Sequence, residues 1–312
     1  MSRVGALSFL GLAKETTWNT PVAASAFFPF SSESLKVSIE PIAEAQIRGI
    51  LDQSPRYKGL ITIGGSFSGP VYPSLIGHLL RAALGAPTTT GTGPYTHTFT
   101  PAQGRFSTDA ALPPYSITVG RDGVIQRYSG CVCQSLTLSF AKGGMLTFEA
   151  QWIGANYDSP SAPTVTLPTD TPFTLDAVVQ RNSAAFASLQ DISIAISNNI
   201  EGVRTINNNG GIITRVAWNG VRTIEVSGSA DFDNSTLYND FLAFGNTPWS
   251  FEWSQGASPK LTLTFPAMKN LDGSPNVGGE GRITLPFSLS AEYDTATSRA
   301  MQAVLVNSTA SY

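Results

Sequence analysis

The sequence predicts a mainly β protein built as two tandem β-sandwich or β-barrel domains, each with one short α-helix. Three observations predict it. Polar and apolar residues alternate along most of the chain, two short helical segments each follow a strand bearing the same motif, and that motif belongs to a series repeated in both halves. The 312 residues suffice for two domains of about 150 residues each.

Taken in order, Tyr115-Ser116-Ile117-Thr118-Val119 alternates so that one face of a strand is apolar. Ser135-Leu136-Thr137-Leu138-Ser139-Phe140 does the same, turns through Ala141-Lys142-Gly143-Gly144 and resumes in Leu146-Thr147-Phe148-Glu149 towards Trp152, which is the pattern of a hairpin. Asp191-Ile192-Ser193-Ile194-Ala195-Ile196, Leu261-Thr262-Leu263-Thr264-Phe265 and Ile283-Thr284-Leu285-Pro286-Phe287-Ser288-Leu289 are further strands. Pro286 has no N–H to give a ladder, so its strand is expected at an edge or bulged there. Over residues 73–84, Leu75, Leu79 and Ala83 share a helix face, with Pro73 near the start and Gly85 just past the end. Over residues 235–244, Leu237, Phe241 and Phe244 share a face, Asn234 or Ser235 is the N-cap, and Gly245 follows.

The repeat is read from ordered matches. Thr62-Ile63-Gly64-Gly65-Ser66-Phe67-Ser68 matches Thr223-Ile224-Glu225-Val226-Ser227-Gly228-Ser229 as T-I-x-x-S-x-S. Upstream, Val37-Ser38-Ile39 and Ile47-Arg48-Gly49-Ile50 match Ile192-Ser193-Ile194 and Val203-Arg204-Thr205-Ile206. Downstream, Gly144-Met145-Leu146-Thr147-Phe148 matches Gly281-Arg282-Ile283-Thr284-Leu285, and Tyr157-Asp158 echoes Tyr293-Asp294. This divides the chain into residues 1–158, a linker over 159–172, and residues 173–312. Pro160, Pro163, Pro168 and Pro172 make the linker extended and semi-rigid.

Composition excludes several classes. With 13% charged and 42% hydrophobic residues the chain is not disordered, and its 29 glycines follow no collagen period. A net charge of −3 supplies no basic footprint for nucleic acid. So low a charge density on a folded chain leaves much of the surface to meet other protein. No stretch approaches the ~20 apolar residues of a spanning helix. The apolar run from Val4 to Ala13 is an ordinary first strand, the alternative being a signal peptide. Cys131 and Cys133 lie on one side of a strand, where a bridge between them is strained; two reduced thiols in a cytoplasmic product is the simplest account.

The catalytic inventory is thin. The two histidines are His78, on the first helix, and His97, in Tyr95-Thr96-His97-Thr98-Phe99. Gly65-Ser66-Phe67-Ser68-Gly69 puts Phe67 where a nucleophile elbow needs serine, and neither a phosphate loop nor a dinucleotide fingerprint occurs. No catalytic, cofactor or metal residue is assigned, and an enzyme is not expected. Asp231, Asp233 and Asp240 gather around the second helix start, where capping and the helix dipole account for them; the alternative, a calcium site, lacks the 12-residue loop. Trp249, Phe251 and Trp253 alternate along one strand and belong to a core or subunit interface, the alternative being a sugar-stacking face.

Gly11-Leu12-Ala13-Lys14-Glu15-Thr16-Thr17-Trp18-Asn19-Thr20-Pro21-Val22-Ala23 resembles the start of the phage tail tube proteins of long-tailed, non-contractile bacteriophages, with Asn19 where glycine is usual. Ile47-Arg48-Gly49, the passage Gly69-Pro70-Val71-Tyr72-Pro73, the helix from Leu79 to Gly85 and the Gly143-Gly144 hairpin add to the resemblance, which is specific over about residues 1–160. It implies a tail-tube-type fold and a virion protein without active residues. Such proteins stack as rings into a conduit for genomic DNA during ejection into the host. Single-domain members form hexamers, so a duplicated chain is expected to build a pseudo-sixfold ring from three copies. The implied partners are further copies of the chain, a tape measure protein in the lumen, and tail terminator and baseplate proteins. DNA passes without specific binding and no membrane is involved. The implied location is the virion tail, and the host cytoplasm before assembly. The alternative is a tandem β-sandwich carbohydrate-binding or adhesin module; an unrecognised β-rich hydrolase is a third class.

Residues 1–158 carry a net charge of +2 and residues 159–312 of −5, a balance that favours alternation around a ring. Two long polar loops, residues 40–59 and 197–220, occupy the same place in the two halves. Asn207-Asn208-Asn209-Gly210-Gly211 and Asn219-Gly220 read the second as a protruding hairpin, the alternative being a floppy surface loop. Glu44, Arg48, Asp52, Arg56 and Lys58 in the first, and Glu201, Arg204 and Arg215 in the second, are candidate inter-ring contacts, with Arg48 and Arg204 equivalent.

Overall fold

Alternating sequences become strands where one face can be buried, and the runs above do so. The computed structural model describes residues 3–104, 112–175, 177–206, 210–275, 277 and 279–312. The first half holds β1 (Phe9–Lys14), β2 (Ala26–Phe28), β3 (Ser32–Glu33), β4 (Lys36–Ala43), β5 (Arg56–Pro70), α1 (Ile76–Leu84), β6 (Thr88–Thr90), β7 (Tyr95–Phe99), β8 (Tyr115–Arg121), β9 (Val124–Ala141), β10 (Thr147–Gly154) and β11 (Asn156–Asp158). The second holds β12 (Ala177–Arg181), β13 (Ala184–Ala185), β14 (Leu189–Ser197), β15 (Ile200–Val203), β16 (Arg215–Trp218), β17 (Thr223–Asp231), α2 (Thr236–Ala243), β18 (Asn246–Ser254), β19 (Lys260–Asp272), β20 (Thr284–Ala291) and β21 (Gln302–Asn307). The chain is mainly β with two short α-helices, as the alternation predicts, and among the described residues its sheets are open and close into no barrel.

The antiparallel ladders run in the same order in both halves. In the first, β4 pairs β5, β5 pairs β10, β10 pairs β9, β9 pairs β8, β8 pairs β1 and β1 pairs β2. In the second, the same succession is β14, β17, β20, β19, β18, β12 and β13. The irregularities also coincide. Gln151 faces Ser135 and Trp152 faces Cys133, leaving Gln134 as an extra residue; Ser288 faces Asp272 and Leu289 faces Asn270, leaving Leu271 extra. Two residues of β9 lie between the partners of Tyr115 and Ile117, and two of β19 between those of Thr247 and Trp249. Bulges of this kind let one long strand leave one sheet for the next. β9 and β19 each do so, and each half thereby becomes two packed sheets.

One upstream match is out of register. Val37 lies opposite Ile63 and Ile196 lies opposite Ile224, so the ladder counterpart of Val37 is Ile196, not Ile192. A sequence of period two is similar to itself after any even slip, and only the ladder distinguishes the two registers. Pro286 faces Ser229 of β17, and β19 pairs β20 only from Ser288 onwards, so the proline lies where its strand is paired on one side.

Two ladders join the halves. β14 adds to β9 from Asp191 opposite Ala141 to Ser197 opposite Ser135, and β21 lies between β19 and β7. The strands β4–β5–β10–β9–β14–β17–β20–β19 therefore form one continuous wall. One buried core backs both halves: Phe67 stacks on Trp152 with ring centroids 6.0 Å apart, and Trp249 on Phe251 at the same distance. Each such side chain contributes about 1.5–3 kcal/mol by leaving water. Residues 159–172 contain no helix or strand. Asp170 accepts hydrogen bonds from the Ser74 N–H and hydroxyl (2.8 Å each) ahead of α1, and Gln255 donates to the Pro172 carbonyl at 2.8 Å.

Glu15, from the tail-tube-like opening run, is 2% exposed and accepts from the Ser116 hydroxyl (2.7 Å) and the Gly130 N–H (2.8 Å). Burial raises its pKa above the ordinary 4.5 despite those bonds. Above that value the unfolded chain releases the proton before the folded one, so Glu15 removes stability as pH rises through its raised folded pKa. Urea unfolding at stepped pH should show this decline beginning near 4.5 in the native protein and flattened in Glu15→Gln.

Candidate functional site

The wall leaves three features exposed: its outward face, its two ends, and the hairpin between β4 and β5. Outward on the six middle strands stand Thr62, Ser66, Ser68, Glu149, Gln151, Ser135, Thr137, Ser139, Asp191, Ser193, Ser197, Glu225, Ser227, Ser229, Ser288 and Ser290, while Ile63, Phe67, Trp152, Leu136, Ile194, Val226 and Leu289 point into the core. This face is hydroxyl-rich and acidic; Ser66, Gln151, Ser135 and Ser197 form one cross-strand row of it. At one end of the wall, β4 is paired only by β5 among the described residues, and at the other the last residues of β19 are paired only by β20.

β4 and β5 extend into the first predicted loop, so its tip is residues 44–55. Arg48, Asp52, Arg56 and Lys58 are exposed. Glu44 is half-buried and accepts from the Tyr57 hydroxyl at 2.8 Å, and Arg56 donates to Gln53 at 3.2 Å. Sequence reasoning attended to these charges and passed over the apolar residues between them. Ile47 and Leu51 are 105% and 106% exposed, with Ile50 and Ile42 largely in solvent. Apolar residues projecting from a hairpin tip are the usual mark of a contact made in an assembly.

The second loop is a hairpin of β15 and β16, with Glu201 opposite Ala217 and Val203 opposite Arg215. The run Asn207-Asn208-Asn209 lies outside the described residues. This hairpin packs on the first half. Ile200, Ile213 and Val216 bury against Val132 and Ala155, and the Ile61 N–H donates to the Gly211 carbonyl at 2.9 Å. Arg204 is half-buried and donates to the Ile61 carbonyl (2.9 Å) and the Thr62 hydroxyl (3.0 Å). Within one chain Arg48 and Arg204 thus have different surroundings, while Glu201 and Arg215 are exposed. The arginine alone does not distinguish these fates; the apolar alternation of Ile200, Gly202 and Val216 around it is the signal that the second hairpin lies down.

Beside it sits a polar node. Asn198, fully buried, donates to the Ala83 and Cys133 carbonyls (3.1 Å each) and accepts from Arg222 at 2.7 Å. Arg222 also donates to the Ala102 carbonyl at 3.2 Å and lies over Trp218; burial lowers its pKa to about 10.

The residues weighed for chemistry are otherwise occupied. Asp231 pairs with Arg282 and accepts from Gln190, Asp233 accepts from Ser188 and Asn234, and Asp240 receives both arms of Arg181. The N-cap position of α2 is Ser235, whose side chain makes no capping bond; the Asn234 side chain just before it accepts from the Thr236 N–H at 2.9 Å. Among the described residues no three His, Cys, Asp or Glu side chains gather as metal ligands. His97 is held between the Thr89 hydroxyl and the Thr309 carbonyl, and burial with the nearby Arg81 lowers the His78 pKa to about 4. Cys131 and Cys133 are free and buried, which raises both thiol pKa values. Trp249, Phe251 and Trp253 are at most 2% exposed, so they are core and offer no sugar-stacking face. A cleft of about 670 Å³ is lined by Phe9, Phe27, Phe30 and Arg121, without a nucleophile and base converging on it. No helix among the described residues is long and apolar enough to cross a membrane, which says nothing of β-barrels.

A hydroxyl-faced β wall with open edges and an apolar hairpin tip is the geometry of a structural subunit. The family model described as phage tail tube protein matches residues 5–291, and the chain belongs to that family. Its role is accordingly structural, in the tail of a phage particle. No curated protein matches the chain.

The node at the joint gives a stability prediction. Asn198→Ala removes two donors and one acceptor and strands Arg222 in a buried site, which costs about 3 kcal/mol at the 1–3 kcal/mol per orphaned group usual for buried polar atoms. Chemical unfolding of the dissociated chain measures it.

Proposed function

We propose that the chain is an internally duplicated tail tube subunit, that three copies close into a pseudo-sixfold ring, and that stacked rings form the conduit through which genomic DNA leaves the particle. The observation that carries this reading is the wall, continuous across both halves and open at both ends. The equal ladder order and coinciding bulges support duplication of a unit, with residues 1–158 and 173–312 as the two copies and residues 159–172 between them. Open strand edges invite another chain, and a head-to-tail contact that closes leaves no edge.

The outward face of the wall then lines the lumen. It carries Glu149, Asp191 and Glu225 among hydroxyls and no lysine or arginine on β10, β14, β17 or β20. Proteins grip DNA by neutralising phosphates, so such a lining lets DNA slide. The subunit is made in the host cytoplasm and meets a tape measure protein in the lumen and terminator and baseplate proteins at the tube ends. Glu44, Arg48, Asp52, Arg56, Lys58, Glu201 and Arg215 face the adjacent ring, around the apolar anchors Ile47 and Leu51, while Arg204 is engaged within its own chain by the Ile61 carbonyl and Thr62 hydroxyl. The carbohydrate-binding alternative loses its main support with the burial of Trp249, Phe251 and Trp253.

Negative-stain microscopy of the purified protein tests this. Rings and tubes are expected from the native chain, and separate rings without long tubes from Ile47→Ser/Leu51→Ser. The same double variant should leave unfolding of the dissociated chain within about 0.5 kcal/mol, as for other exposed sites. A monomer at every concentration contradicts the tube, and full-length tubes from the variant contradict the role of the tip.

A further inference from the structure

We propose that the cleft at the seam between the two halves is a carboxylate site, in which the Arg222 guanidinium holds the acid group of a ligand whose apolar body fills the rest of the cleft. The site is independent of the ring reading.

The cleft measures about 550 Å³, a volume usual for small-molecule sites. Residues 101–104 of the first half form one wall; Val221, Arg222, Ile224, Ala291 and Tyr293 of the second face them. Arg222 is held firmly there. Its Nε donates to the Asn198 side-chain oxygen at 2.7 Å, both Nη atoms donate to the Ala102 carbonyl at 3.2 Å, and the guanidinium carbon lies 5.2 Å from the centroid of the Trp218 ring. A guanidinium has five N–H donors, so three are used and one is left on each Nη. The cation is thus fixed before anything binds, and a ligand need not order it.

Its charge has no counterpart. Arg121, Arg127, Arg181 and Arg282 each pair with a carboxylate, from Glu33, Asp158, Asp240 and Asp231. Among the described residues the hydrogen-bond partners of Arg222 are neutral, and neither Asp nor Glu lines the cleft. The larger cleft beside Phe9 differs on this point, because its Arg121 already holds both oxygens of Glu33. Burial without a counter-ion is unfavourable for Arg222 and lowers its pKa to about 10, which leaves it charged at neutral pH. An anion entering the cleft offsets part of that penalty.

The lining narrows the anion. A phosphate or a nucleic-acid backbone calls for several cations and many donors, and among the described residues Arg222 is the one cation lining this cleft. Val221 and Tyr293 are 79% and 56% exposed at its rim, so an apolar stem or ring behind the acid group is covered by them. The Ala102 carbonyl occupies the fork of the guanidinium, so one carboxylate oxygen meets one Nη. Because the walls come from both halves, a bound carboxylate also ties the halves together.

Benzoate is the probe, with benzamide as its neutral isostere, on the full chain. One charge-assisted hydrogen bond and a covered ring imply a dissociation constant of about 1 mM. Saturation-transfer NMR should show benzoate bound about tenfold more tightly than benzamide; Arg222→Gln should abolish the preference and Arg222→Lys should keep part of it. At about ten times the dissociation constant, benzoate should raise the folded-to-unfolded ratio of the dissociated native chain about tenfold in urea, and that of Arg222→Gln not at all. Tyr293→Ala, at the exposed rim, should weaken benzoate a few-fold without moving the unfolding midpoint. Absence of benzoate binding, equal binding of benzamide, or a preference that survives Arg222→Gln overturns the site and leaves the tube reading untouched. If Arg222→Gln fails to fold, an affinity unchanged in Tyr293→Ala overturns it.

Discussion

The ladder between β9 and β14 is the contact on which the rest depends. A strand offers hydrogen bonds on both sides, and the second half of β9 uses β10 on one side and β14 on the other. Without it the halves would meet only through β21 on β7 and the packed hairpin of β15 and β16, with no common wall. With it, the sheets of both halves become one wall whose inner face is core and whose outer face is mostly hydroxyls and carboxylates, with Lys36 and Lys269 on its two end strands. The bulge at Gln134 makes this possible, because it turns β9 out of the sheet it shares with β8 and frees its flank for β14.

The consequences reach the loops. Once β14 is seated on β9, the hairpin of β15 and β16 has nowhere to go but across the first half, where Ile213 and Val216 are buried and Arg204 finds backbone and hydroxyl acceptors. Asn198 and Arg222 close the corner, one supplying donors to two carbonyls and the other a cation over Trp218. The first hairpin has no such neighbour inside the chain and projects. Two loops at the same place in the ladder order thus meet different surroundings, and the apolar residues of the second fit the surface it lies on.

Much of this was legible in the sequence. Strict alternation in Ser135–Phe140 and Ile192–Ile196 marks strands because a half-buried sheet demands it, and the caps and apolar spacing of both helices mark their ends to within a few residues. The T-I-x-x-S-x-S matches are legible because β5 and β17 take the same place in ladders of equal register. The slip between Ile192 and Ile196 was not, since period two cannot number itself. Nor were the β21–β7 pairing and the burial of Arg204, both set by contacts between residues far apart in sequence. The charges of the hairpin tip drew attention away from Ile47 and Leu51, whose exposure only the fold reveals.

The central claim is the proposed one, that three chains close their walls into one ring. A reconstruction of the assembled tube by electron cryo-microscopy, at a resolution that traces the backbone, tests it most directly. The account predicts three chains per ring, closed through the open edges of the wall. A ring closed through other edges, or one of six chains, would contradict it.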